Sequence, residues 1–182
     1  CFNERSKGNI MTSIAIVLGS VRPGRWGEQV TNWIQARAQE AGLDASVVDL
    51  KEFDLPIFAE EPPSMVVPTQ PEGVRLRETL EGRDGFIFVT PEYNQSVPGG
   101  LKNAIDYLPP SILKDKPVGI VGYSWHDAVS ARAHLRQILS GMGAALAQED
   151  VAINLGSEFP EGTFTPSEQV DAQLRALLEA LA

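Results

Sequence analysis

A three-layer α/β/α sandwich around a five-stranded parallel sheet of order 2-1-3-4-5 is the fold class that the sequence predicts, and three observations predict it. From Ser13 onward, short apolar runs alternate with longer amphipathic segments, the strand leading each unit. Several of the runs are almost continuously apolar, as strands covered on both faces are. The amphipathic segments end at legible stops, and 182 residues suffice for one compact domain but are short for two.

The strands are placed at Ser13–Leu18, Ala45–Asp49, Gly85–Thr90, Pro117–Tyr123 and Ala145–Val151, each rich in Val, Ile or Phe. Helices are placed at Trp26–Ala41, Glu72–Glu81, Gly99–Tyr107, Ala128–Met142 and Ser167–Leu181. Gly42 and Gly82 follow the first two, where the chain must turn left-handed. Pro109 and Pro110 forbid continuation of the third. Thr165-Pro166-Ser167-Glu168 opens the last helix with a capping residue and a proline near its first position. Residues 1–10 are polar, aperiodic and end just before Met11, so they are read as a disordered extension and the domain as residues 11–182.

Composition narrows the function. An apolar fraction of 43% with 21% charged residues is that of an ordinary packed domain. The net charge of -9, without clustered Lys and Arg, argues against nucleic acid as a partner. The longest apolar run, Ile14–Leu18, falls far short of the ~20 residues that span a bilayer, so no membrane partner is expected. No basic stretch followed by an apolar one opens the chain, which makes the cytoplasm the expected compartment. Cys1 is the only cysteine, so no disulfide, CxxC pair or thiolate metal cluster is available within the chain, and any redox chemistry must be borrowed from a cofactor.

A sheet of this order binds ligands beyond the carboxyl ends of its strands, where the order reverses between the first and third. Two loops stand there. Gly19-Ser20-Val21-Arg22-Pro23-Gly24-Arg25 leaves a strand and enters a helix, so its backbone N–H groups and the helix's positive end converge on one point suited to an anion. Ser20 adds a hydroxyl donor, and Arg22 and Arg25 add forked donors for phosphate oxygens. The segment nearly matches a P-loop, but Arg25 stands for its Lys and Trp26 for its magnesium-binding hydroxyl, so a phosphomonoester suits it better than a nucleoside triphosphate. The other loop, Pro91-Glu92-Tyr93-Asn94-Gln95-Ser96-Val97-Pro98-Gly99, is stiffened by two prolines and can hold a planar ligand, with Tyr93 offering an aromatic body and a polar tip.

Gly19-Ser20-x-Arg22, Pro91-Glu92-Tyr93-Asn94 with Ser96 and Pro98-Gly99, and Leu101-Lys102-Asn103-Ala104-Ile105-Asp106, in this order and spacing, resemble the NADPH-dependent FMN reductase family, which includes quinone, azo-dye and chromate reductases of flavodoxin-like fold. The resemblance covers about Met11 to Gly156. It implies FMN as cofactor, NADPH or NADH as co-substrate, and a quinone, flavin, azo compound or metal oxyanion as the small-molecule acceptor. It implies that Gly19, Ser20, Arg22, Arg25, Gly27 and Gln29 serve the phosphate, and that Pro91, Glu92, Tyr93, Asn94 and Ser96 serve the ring. Ser124 and Trp125, in Gly122-Tyr123-Ser124-Trp125-His126-Asp127, lie in the loop that the family places beside the flavin; Trp125 and His126 are bulkier than the residues often found there. It also implies a homodimer or homotetramer.

The flavin carries the chemistry in this reading, so no side chain is assigned as catalytic; His126 is either a proton donor to the reduced acceptor or a plain surface residue. Arg132, His134 and Arg136 read as a solvated helix face. Phe53–Phe58 with Tyr107-Leu108-Pro109 is the expected contact surface or pocket wall. The alternative function is a non-enzymatic FMN electron carrier for a protein partner, against which the arginine-bearing phosphate loop counts. A flavin-sensing scaffold is a third reading.

Overall fold

The computed structural model describes residues 11–182; the extension expected over residues 1–10 lies outside them. Strands β1 (Ser13–Leu18), β2 (Asp44–Asp49), β3 (Gly85–Pro91), β4 (Pro117–Ser124), β5 (Ala145–Leu146) and β6 (Val151–Asn154) form one parallel sheet. Its order is β2-β1-β3-β4-β5, with β6 also on β4. The helices are α1 (Gly27–Glu40), α2 (Pro71–Leu80), α3 (Gly99–Asp106), α4 (Val129–Gly141), the single turn α5 (Leu155–Glu158) and α6 (Glu168–Leu181).

The near-continuous apolar runs follow from the period of two along a strand, which sends alternate side chains to two covered faces. Ile14 and Ile16 of β1, Ile87 and Val89 of β3, and Val121 and Tyr123 of β4 pack with Val30 and Ile34 of α1 and Val170 and Leu174 of α6. Their neighbours Ala15, Val17, Phe86, Phe88, Val118 and Ile120 pack with Leu76 of α2, Leu101 of α3 and Leu135 of α4. Each fully buried side chain of this size contributes about 1.5–3 kcal/mol, so either layer is a substantial part of the stability. Gly42 and Gly82 adopt φ of 80° and 79° just beyond α1 and α2, the left-handed turn expected after each helix. Ser167 caps α6 through its hydroxyl, which accepts from Val170 N at 3.4 Å; Pro166 therefore lies outside the helix rather than in its first turn.

The fifth strand is the element that departs from expectation. The run Ala145–Val151 does not form one strand: β5 pairs with Pro117 and Val118, β6 pairs with Val121–Ser124, and residues 147–150 loop out between them. The polar triplet Gln148-Glu149-Asp150 breaks the apolar pattern, and Asp150 is drawn aside by two arginines of α4. Arg136 Nη1 donates to Asp150 Oδ1 at 2.5 Å and Nη2 to Ala147 O at 3.0 Å, while Arg132 approaches Asp150 at 3.5 Å. The expected solvated face of α4 is thus corrected: Arg132 and Arg136 fasten the edge strand's detour.

Because the sheet is parallel, the carboxyl ends of β1, β3 and β4 share one rim. Leu18 is level with Val89, and Pro91 with Tyr123. The loops after β1, β3 and β4 and the start of α1 therefore converge.

Candidate functional site

Gly19 N donates to Val89 O at 2.9 Å, extending the β1–β3 ladder one residue beyond β1. A Cβ at Gly19 would fall 2.8 Å from Leu101 Cδ2 and 2.9 Å from Val89 O, so only glycine permits this approach. Ser20 follows, fully buried, with its hydroxyl 2.8 Å from the Tyr93 hydroxyl. One hydrogen bond thus joins the two loops singled out in the sequence. Arg22 lies with its guanidinium 5.4 Å from the centroid of the Tyr93 ring and has no hydrogen-bond or ion-pair partner among the described residues.

Arg25 behaves differently. Its Nε and Nη2 donate to Glu28 Oε1 at 3.0 and 2.8 Å, its Nη1 to Ser20 O at 2.5 Å and Asp49 Oδ1 at 2.8 Å, and its Nη2 also to Asp49 Oδ2. All five donors are spent within the chain. Burial alone lowers the guanidinium's pKa, but its bonds to Asp49 and Glu28 outweigh that and raise it. Arg25 clasps the loop to β2 and its charge is matched locally. Gln29 is likewise engaged elsewhere, donating to Gly162 O at 3.0 Å and accepting from Phe164 N at 2.8 Å.

The Pro-Glu-Tyr-Asn loop is a tight turn. Tyr93 N donates to Ser96 O at 2.9 Å and Ser96 N to Tyr93 O at 3.1 Å, with Asn94 and Gln95 at φ of 50° and 63°. Two successive positive φ angles define a type I′ turn, in which Asn is favoured. Asn94 is at the exposed tip. Glu92 Oε2 accepts from Ala131 N at 3.0 Å in the first turn of α4, Ser130 Oγ donates to Gln95 Oε1 at 3.2 Å, and the Ser96 hydroxyl lies 3.0 Å from His134 Nδ1. Glu92, Gln95 and Ser96 therefore brace the loop against α4, and His134 has a partner rather than facing solvent alone.

On the third side, Ser124 Oγ accepts from His126 N at 3.0 Å and Ala128 N at 2.7 Å, closing the turn that follows β4. Trp125 is 62% exposed. Its ring meets Trp26 edge-on at 6.3 Å, and Trp26 in turn stacks on Phe159 at 4.8 Å. The result is a cleft of about 320 Å³ lined by both loops and by Trp26, Tyr123, Ser124, Trp125 and Leu155, within the size range of small-molecule sites. His126 is exposed and is not part of that lining.

Tyr123 is the residue that sequence reasoning missed. Its side chain is 4% exposed and its hydroxyl has no partner among the described residues, yet it lines the cleft. Burial, followed by the nearby Tyr93, pushes the phenol's pKa far up, against smaller pulls from Arg25, Arg22 and Ser20. The only signal in the sequence was a phenol at the end of an apolar strand, in register with Val121 and so facing α1.

Residues 12–158 match the family model of NADPH-dependent FMN reductase. The chain belongs to this family. Among its relatives, the NAD(P)H-dependent FMN reductase ntnL of Nectria sp is 34% identical over 137 residues, 71% of this chain and 68% of that protein. The quinone reductase of Escherichia coli (strain K12) is 39% identical over 134 residues, 69% of this chain and 68% of the relative. Among solved structures, the flavoenzyme NAD(P)H:(acceptor) oxidoreductase FerB from Paracoccus denitrificans superposes with a TM-score of 0.74 at 23% identity, covering 94% of this chain and 97% of that one, which shows the shared fold.

The cleft of this FMN reductase fits the family's cofactor on its own chemistry. An uncommitted guanidinium, an unpartnered phenol and the start of a 14-residue helix form one end, and all three call for an anion. The rigid turn and the indole form the other, suited to a flat ring.

Proposed function

We propose that this FMN reductase is an FMN-dependent NAD(P)H oxidoreductase that passes hydride from NADPH or NADH, by way of its flavin, to a small acceptor such as a quinone, a flavin, an azo compound or a metal oxyanion. One observation carries the reading: the Ser20–Tyr93 bond, which makes a single cleft of the phosphate-type loop and the ring-type loop. FMN, when bound, supplies the hydride acceptor and donor, and the chain needs only to hold and screen it.

The holding follows from the residues. Ser20, Arg22 and the first turn of α1 take the phosphate, while Arg25 keeps that loop in shape and Gly19 and Gly27 give the backbone room. The backbone of Pro91–Asn94 takes the ring edge, stiffened by the bonds of Glu92 and Ser96 to α4. Trp26 and Trp125 form an apolar wall that excludes water and offers a stacking face to an aromatic acceptor. No side chain need act as acid or base, because pre-positioning of two rings accounts for the rate.

Family membership and the free Arg22 favour the enzyme over the electron carrier. Anaerobic stopped-flow reduction of FMN-loaded protein by each nicotinamide, followed by mixing with a panel of acceptors, tests the proposal. The expected result is bleaching by NADH or NADPH and reoxidation by acceptor without a partner protein; protein that stays colourless with FMN, or holds FMN that is never bleached, overturns it.

Self-association into a homodimer or homotetramer is part of the proposal, on only part of the surface expected. Phe53, Tyr107 and Leu108 are buried, with Tyr107 Oη donating to Pro56 O at 3.1 Å, so they belong to the core. Ile57, within the expected segment, and Met65, Val66 and Val67 beyond it are the exposed apolar side chains of that region. Light scattering that finds only monomer at working concentration refutes this part. Among the described residues no helix is long and apolar enough to cross a membrane.

A further inference from the structure

Four buried polar side-chain atoms have no hydrogen-bond partner among the described residues: Trp33 Nε1, Ser46 Oγ, Arg77 Nε and Tyr123 Oη. Of these only Tyr123 Oη belongs to a residue lining the cleft. A buried hydroxyl without a partner is costly enough to require an explanation.

The surroundings of this hydroxyl are rich in donors and poor in acceptors. Gly27, the first residue of α1, stands against it: a Cβ there would lie 2.6 Å from Tyr123 Oη, so the phenol reaches the helix start only because that residue has no side chain. The N–H groups of the first turn of α1 have no side-chain cap, since the cap position is occupied by Trp26. Arg22 has no hydrogen-bond or ion-pair partner among the described residues, only the face of Tyr93 at 5.4 Å. The side-chain acceptors nearest the loop are engaged with other groups, the Ser20 hydroxyl with Tyr93, Asp49 with Arg25 and Glu92 Oε2 with Ala131 N, and none of them forms a hydrogen bond with Tyr123 Oη. What this corner lacks is a group with several acceptor oxygens and negative charge.

We infer that Tyr123 is a phosphate-binding residue, its hydroxyl donating a hydrogen bond to the FMN monophosphate alongside Arg22 and the first turn of α1. The inference rests on the reading of the cleft as the FMN site and adds a ligand that neither the phosphate-type nor the ring-type loop supplies. It assigns a role to the end of β4, which reaches across β3 to the phosphate. Burial holds the phenol protonated, so it acts as a neutral donor throughout the working pH range. The first helical residue is glycine because a side chain there would crowd both this hydroxyl and Leu18 Cδ1, each 2.6 Å from the Cβ position.

The test is Tyr123→Phe, which removes one oxygen and keeps the ring in the core. Three measurements on the full chain are read together: urea unfolding of the apoprotein, Kd for FMN and for riboflavin by fluorescence quenching, and the rise in Tm caused by inorganic phosphate. The expected result is an apoprotein as stable as the wild type or more so, an FMN Kd weakened about 10- to 100-fold as for a hydrogen bond to a charged group, a riboflavin Kd within twofold of the wild type, and a smaller phosphate-induced Tm rise. An unchanged FMN Kd overturns the inference. An equal loss for FMN and riboflavin places the hydroxyl on the ribityl chain or ring and also overturns it, as does a Y123F protein that is unfolded or clearly destabilised, since the hydroxyl would then have a partner in the fold. A wild type that binds neither flavin defeats the proposed function instead, and the phosphate-induced Tm rise still decides the role of Tyr123.

Discussion

Arg22 and Arg25, three residues apart on one loop and both offered by the sequence as phosphate ligands, are expected to respond to alanine substitution in opposite ways. Arg22→Ala removes an exposed side chain with no hydrogen-bond or ion-pair partner among the described residues, so stability should stay within about 0.5 kcal/mol. It also removes a charge-assisted hydrogen bond to phosphate worth about 1.5–3 kcal/mol, which is about 10- to 150-fold in the FMN Kd. Arg25→Ala deletes five hydrogen bonds and leaves Asp49 without its counter-charge. Breaking a buried ion pair costs about 3–5 kcal/mol; the side chain of Asp49 is 19% exposed and that of Glu28 59%, so solvent recovers part of it and about 2–4 kcal/mol of lost stability is expected. Urea titration of the two apoproteins, with FMN titration under conditions where both are folded, separates the effects. An R25A protein with an unshifted urea midpoint and an FMN loss equal to that of R22A would refute the assignment of Arg25 to the scaffold.

Three other perturbations follow from the geometry. Gly27→Ala forces a methyl to within 2.6 Å of both Leu18 Cδ1 and Tyr123 Oη; overpacking of this kind costs about 1–3 kcal/mol, and combination with Y123F should recover only part, because the Leu18 clash remains, so additive urea midpoints would count against it. Trp125→Ala should raise KM for planar aromatic acceptors about 2- to 12-fold, the worth of one aromatic contact, while leaving KM for a metal oxyanion unchanged; a uniform change across the acceptor panel would remove the indole from the acceptor site. Glu60 is held below the ordinary 4.5 by the hydroxyl of Thr69 and then the backbone N–H groups of Thr69 and Gln70, with burial opposing. Its folded pKa is depressed, so this stabilisation is present above pH 4.5 and is lost as pH falls through the folded value; hydrogen exchange of residues 61–70 should accelerate below pH 4.5 in the wild type and show no such step in E60Q.

Strands β1, β3 and β4 could be located from the sequence to within a residue or two because both faces of each are covered, which makes them almost continuously apolar. The edge offered no such signal. Ala145–Val151 has enough Ala, Leu and Val to read as one strand despite Gln148-Glu149-Asp150, and the placement of Arg132 and Arg136 over Asp150 shows why it parts there. The site divides in the same way. The placement of Arg22, Pro91 and Tyr93 on one cleft was legible, because strand-end position and residue type fix their surroundings. The bonds of Arg25, which also lines the cleft, were not, since its partner Asp49 lies 24 residues away on β2, nor were those of Gln29, whose partners are Gly162 and Phe164. Long polar side chains go where tertiary structure supplies a complement, and that complement has no local signature.

The interrupted edge strand insulates the mouth of the cleft from the outer rim of the sheet. β5 and β6 are anchored separately on β4, so residues added or removed at Gln148-Glu149 need not disturb either ladder. Asn154, paired with Ser124 at the end of β6, keeps its place through such a change, and its Nδ2 goes on donating to Trp125 O at 3.2 Å and to Asp127 Oδ1 at 2.9 Å. The short detour therefore works like an expansion joint, taking up differences in length that would otherwise be passed on to the indole beside the opening.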